Sequence, residues 1–133
     1  MKIENHYKRL KENYEVIEES LKKDLKDRQS TLGFSVSAAS IHLIEIYLHQ
    51  LNLIDSSFLL KHEWFKSKNK LAEKLSFNFP EKEKILHLLK EIQEKRNDFC
   101  YGPPKKEGEL LSYLETFNQL KKVFEQLGVD NEK

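Results

Sequence analysis

The stretch Lys95-Arg96-Asn97-Asp98-Phe99-Cys100-Tyr101-Gly102-Pro103-Pro104 places a guanidinium and an amide where an apolar helical pattern runs out. An arginine there can hold a phosphate through paired, charge-assisted hydrogen bonds, and Asn97 can fix the geometry of the sugar or the phosphate. Tyr101 is a weak acid and base, because a free phenol titrates near pH ~10. Lys105 and Lys106, just past the proline pair, can extend the same surface toward an anion or remain a solvated loop. Together these residues suit holding a phosphate better than acid or base chemistry. The plainer reading is that Arg96 pairs internally, with Glu45 across the protein or with Asp98 beside it, and serves as a polar fastener.

A second constellation is His42, Glu45 and His49, which stand at i, i+3 and i+7 and therefore share one narrow helical face. Imidazole and carboxylate are metal-ligand types. Their spacing matches neither His-Glu-x-x-His nor the paired Glu-x-x-His of bundle sites, so a hydrogen-bonded polar seam is expected, with no metal and no cofactor. Cys100 is the one cysteine of the chain, which excludes an internal disulfide, and it reads as a small buried hydrophobe.

Helices must position these groups. From Ile3 the apolar positions Tyr7, Leu10, Tyr14, Ile17, Leu21 and Leu25 recur in steps of three and four, predicting one long amphipathic helix that ends near Gln29 to Gly33, where Ser30, Thr31 and Gly33 supply turn chemistry. A second helix, Ser35 to Ile54, is apolar around most of its circumference and belongs at the centre, with Ser35 or Ser37 as its cap. Phe58 to Leu75 reads as one or two shorter helices with a break at Ser67 to Lys70. Pro80 suits the first position of a fourth helix, with Glu81 and Glu83 at its positive end. That helix runs through Ile85, Leu88, Leu89 and Ile92 to Phe99, stops at Gly102-Pro103-Pro104, and carries Arg96 on its core-facing stripe. Leu110, Leu114, Phe117, Leu120, Phe124 and Leu127 mark a last helix, Gly128 its C-terminal cap, and the polar residues after it a frayed end.

The 133 residues suit a single domain over 1–133, with a core of about 3–128, and the low glycine and proline content with 34% charged residues describes a helix-rich chain. The fold class expected is all-α, an antiparallel up-and-down bundle of about five helices. A formal net charge of +1 gives no global field toward nucleic acid or lipid, so any basic site is local. No signal peptide and no membrane-spanning run is read, and a cytoplasmic location with no membrane partner is expected.

Arg96-Asn97 near the end of a fourth helix, followed by Tyr101-Gly102, with Glu45 on a central apolar second helix and the spacing through Trp64, Leu71 and Leu75 to Pro80, resembles the HEPN family of small helical bundles. Active members are metal-independent ribonucleases, often from toxin-antitoxin systems, that carry Arg, four to six intervening residues and then His, and that act as dimers. Arg96 and Asn97 match this pattern. Tyr101 stands in the histidine's slot, and no His follows Arg96. The resemblance therefore implies a member lacking that histidine: a homodimer and a non-enzymatic module that binds a nucleotide, RNA or a protein partner such as a nucleotidyltransferase around Arg96. The alternatives are a ribonuclease using Arg96, Asn97 and Tyr101 or a seam histidine, and a purely structural oligomerisation domain.

Overall fold

The computed structural model describes residues 1–129, and its regular structure is all helical. Five α-helices follow in order: α1 (Ile3–Leu21), α2 (Gln29–Gln50), α3 (Lys68–Lys74), α4 (Lys82–Tyr101) and α5 (Glu107–Gln126), with 3-10 turns at Leu25–Arg28 and His62–Lys66. Contacts give the four long helices alternating directions. His6 near the start of α1 meets His42 late in α2, Gln29 at the start of α2 meets Phe99 at the end of α4, and Phe99 meets Tyr113 early in α5. The short α3 packs on the second 3-10 turn.

Helix α2 is the axis of the protein because its apolar residues spread around most of its circumference. Val36, Ala39, Leu43, Ile44, Ile46 and Leu48 are all fully buried, and α1, α4 and α5 pack around them. The helical run Leu25–Gln50 is long and apolar enough to cross a membrane by length and composition, with 72% of its most apolar window buried inside the protein. This corrects the expectation that no run reaches that length; a mostly buried core helix has the same composition as a membrane span.

Several boundaries differ from expectation for identifiable reasons. Helix α1 stops at Leu21, and Asp24 accepts the Lys26 N–H at 3.0 Å to start the 3-10 turn that buries Leu25. Ser30, Thr31 and Gly33 lie inside α2 and form no turn, and Ser35 and Ser37 are buried helical residues with no capping role. A Cβ on Gly33 would meet Cys100 Sγ at 2.9 Å and Phe99 Cβ at 3.1 Å, so this glycine permits the close approach of α2 and α4. Helix α2 ends at Gln50 rather than Ile54. The Leu53 N–H bonds the Leu48 carbonyl and the Asn52 N–H bonds that of His49, with Asn52 left-handed at φ 58°, which together form a Schellman cap.

Phe58 to Lys61 is not helical; the Leu60 N–H is drawn to the Glu45 carboxylate at 3.2 Å. The expected break falls at Ser67, which caps α3 by accepting the Lys70 N–H. Pro80 sits in a turn before α4, and Glu81 (φ 62°) is its N-cap residue. Lys82, the first helical residue, donates its ammonium to the carbonyls of Leu75 and Phe77, both at 2.8 Å. At the far end Gly128 has φ 86° and the Val129 N–H reaches the Phe124 carbonyl, so the expected glycine cap is present. Val129 is buried, and the expected fraying otherwise concerns residues 130–133, which lie outside those described.

Candidate functional site

Arg96 lies in the last turns of α4, half-buried at the wall of a cleft of about 610 Å³ between α1, α2, α4 and the chain before the second 3-10 turn. Its guanidinium sits 5.0 Å from the Phe34 ring centroid, donates to Asn97 Oδ1 at 2.8 Å, and lies 3.3 Å from His62 Nε2. Stacking on an aromatic face and a neutral amide contact leave its charge uncompensated. Neither internal ion pair expected for Arg96 is present among the described residues. Asp98 bonds Lys105 at 2.6 Å, and Glu45 faces His6 and Leu60.

His62 comes to Arg96 from 34 residues earlier in the chain. Burial, followed by the Arg96 charge, lowers its pKa, against an opposing pull from Glu63, so its imidazole is held in the neutral form. Tyr101, by contrast, is 73% exposed and stands edge-on to Phe34 at 5.6 Å. It is part of an exposed aromatic rim, and the nitrogen brought to Arg96 is that of His62. Lys105 is tied to Asp98, whose carboxylate raises its pKa, and its backbone N–H bonds Gln29. Lys106 is the exposed residue preceding α5, and neither lysine lines the cleft.

The polar seam is larger than its three expected members. His6, from α1, enters it fully buried, with its Nδ1 2.9 Å from His42 Nδ1 and 3.7 Å from Glu45 Oε2. Burial and the neighbouring His42 charge lower the pKa of His6 to about 4, and burial and Arg9 lower that of His42 to about 4. Burial raises the Glu45 carboxyl to about 7, partly offset by the Leu60 N–H. The 3.7 Å contact is therefore a neutral one rather than an ion pair over most of the intervening pH range. His49 completes the row, its ring 5.6 Å from that of His6 and its Nε2 3.0 Å from the Met1 carbonyl. His42 also lines the cleft and so joins the seam to the Arg96 site.

The polar fastener imagined for Arg96 exists elsewhere. Gln93, buried between α2 and α4, accepts from the Ser37 hydroxyl at 2.7 Å and donates to Ser40 Oγ at 2.9 Å and to the Ser37 carbonyl at 3.2 Å. Gln29 and Ser30 satisfy the carbonyls of Phe99, Cys100 and Pro103 at the end of α4, which fixes the turn below Arg96. Cys100 is buried and burial raises its pKa, which makes it a poor nucleophile.

His6, His62 and Phe34 carry this site and none was singled out from the sequence. His6 had a visible signal, three residues after Ile3 and four before Leu10 on the core-facing stripe of α1. His62 and Phe34 had none, because nothing in a linear pattern brings residues 34, 62 and 96 together. No known protein-family model, no curated protein and no solved structure matches this chain.

Proposed function

We propose that the chain is a non-enzymatic binding module, resembling the HEPN bundles, that takes a phosphate-bearing ligand, a nucleotide or an RNA segment, in the cleft beside Arg96. The observation that carries this reading is the guanidinium at the cleft wall, stacked on Phe34 with no carboxylate partner among the described residues. A half-buried guanidinium without a counter-ion favours an anion from outside, and its planar fork matches a phosphate. Phe34, 39% exposed, and Tyr101 beside it offer the aromatic faces on which bases stack.

Fluorescence titration of the chain with a labelled RNA oligonucleotide and with mononucleotides tests this. Arg96→Ala is expected to weaken binding by about tenfold or more and to reduce the slope of affinity against salt by about 1. Arg96→Lys keeps a charge but loses the fork and the stack, so the salt slope should survive while affinity falls. Unchanged affinity in both variants removes this site.

One observation favours a ribonuclease as second reading: His62 places a neutral imidazole 3.3 Å from Arg96, supplying in space the group missing after it in sequence. RNA degradation by the chain in the presence of chelator, abolished by both His62→Ala and Arg96→Ala, would replace the binding-only reading. A homodimer and a nucleotidyltransferase partner remain proposals that rest on the family resemblance.

A further inference from the structure

His6 stands on α1, and His42 and Glu45 share one face of α2, so the three groups meet only because these helices pack antiparallel. One ligand-type atom from each lies within 4.8 Å of the other two. The His6 Nδ1 to His42 Nδ1 distance is 2.9 Å and the His6 Nδ1 to Glu45 Oε2 distance is 3.7 Å. Donors held tetrahedrally at ~2.0–2.1 Å from a zinc ion are about 3.3 Å apart, a spacing that these two edges bracket. Small side-chain rotations bring both to it.

The protein satisfies this cluster incompletely by itself. His6 is 0% exposed, and its Nδ1, the atom that faces the cluster, is shared between His42 Nδ1 and Glu45 Oε2. Glu45, 1% exposed, has no lysine or arginine within ion-pair distance among them. Its Oε1 accepts the Leu60 N–H at 3.2 Å, an outer hydrogen bond of the kind that orients a metal-binding carboxylate, and this leaves Oε2 turned to His6. A buried carboxyl facing two imidazoles is a place where a divalent cation supplies the charge that the fold omits.

We propose that His6, His42 and Glu45 form a binding site for a divalent transition-metal ion of the zinc type, with its fourth coordination position open to the cleft. Two imidazoles and one carboxylate, with one exchangeable position, are a set that zinc accepts. His42 lines the cleft, which provides the entry path. His49 stays outside the set, its Nε2 already engaged by the Met1 carbonyl. This site goes beyond the anion-binding reading and does not depend on it.

The test is a cobalt(II) titration of the untagged chain after removal of metals by chelator, with no nucleotide or RNA present. The wild-type chain is expected to develop the visible bands of tetrahedral cobalt, saturating at a single equivalent and displaced by zinc. His42→Ala removes the half-buried ligand at the cleft, and Glu45→Gln keeps the shape and the Leu60 hydrogen bond. Each should weaken binding by about tenfold or more, with helix content unchanged by circular dichroism. His87→Ala removes the exposed His87–Glu91 pair, 3.1 Å apart on α4, and should leave binding unaltered. The proposal is overturned by absence of saturable binding in the wild-type chain, by full affinity in both seam variants, or by loss of binding in His87→Ala. Should one seam variant lose helix content, the wild-type spectrum and the other variant decide. Failure of the RNA and nucleotide titrations leaves this result standing.

Discussion

Burial sets the protonation of His6, His42 and Glu45, and with it the pH profile of the metal-free chain. The two imidazoles titrate near 4 when folded, against 6.5 when free, so the unfolded chain binds the more protons in that window and stability falls as pH drops from 6.5 toward 4. Glu45 works in the opposite sense. Its folded carboxyl titrates at about 7 against 4.5, so the folded chain binds the more protons and stability falls as pH rises from 4.5 to 7, by about 3 kcal/mol for this one group. Two groups outweigh one up to about pH 7, and above it the opposing slopes nearly cancel. Of the charged groups facing the cluster, His49 and the N-terminal ammonium lower His6 and Arg9 lowers His42, each in the same direction as burial, whereas the ammonium lowers Glu45 against its burial. Urea unfolding across pH 4 to 8 should show these three groups raising stability from pH 4 toward about 7 and leaving it nearly level beyond. In Glu45→Gln the opposing contribution is lost, so the rise in stability between about pH 5 and 6.5 should steepen.

At the scale of elements, the contact of α2 with α4 is where sequence changes are felt most. Gly33→Ala gains about 1 kcal/mol of helix propensity. The new Cβ also meets Cys100 Sγ at 2.9 Å, Phe99 Cβ at 3.1 Å and the Cys100 backbone nitrogen at 3.2 Å. A cysteine side chain can rotate away, but the backbone of α4 yields only by moving the helix, and overpacking of this kind costs about 1–3 kcal/mol. The clash wins, and a net loss of about 1 kcal/mol is expected in thermal unfolding. Gly108→Ala is the contrasting case. Nothing lies within 4 Å of its added Cβ in the first turn of α5, so the same substitution should leave stability level or raise it by up to about 1 kcal/mol. Equal losses at both positions would contradict the close approach of α2 and α4.

For the whole molecule, the proposed homodimer is checked by light scattering, with twice the 15.8 kDa chain mass expected and a single chain mass counting against it. The exposed apolar Leu59 (53%) at the cleft suits such a contact, and Leu59→Asp should yield the monomer. The all-helical fold and the central place of α2 were readable from the chain, because apolar residues recurring at three and four, or covering a helix on all sides, report burial locally. The stop of α4 at Gly102-Pro103-Pro104 and the Gly128 cap were readable as well, since proline and left-handed glycine act through their own backbone. The helix boundary at Gln29, the extended run before His62 and the turn at Pro80 were not. They follow from partners far along the chain, such as Phe99 for Gln29 and Glu45 for Leu60. The sequence alone thus determined that Arg96 and the His42–Glu45 face carry polar chemistry on helices. Only the tertiary structure decided that Arg96 meets His62 and Phe34 in place of a carboxylate, and that His6 completes the seam, because helical periodicity orders residues around one axis and packing selects which axes meet.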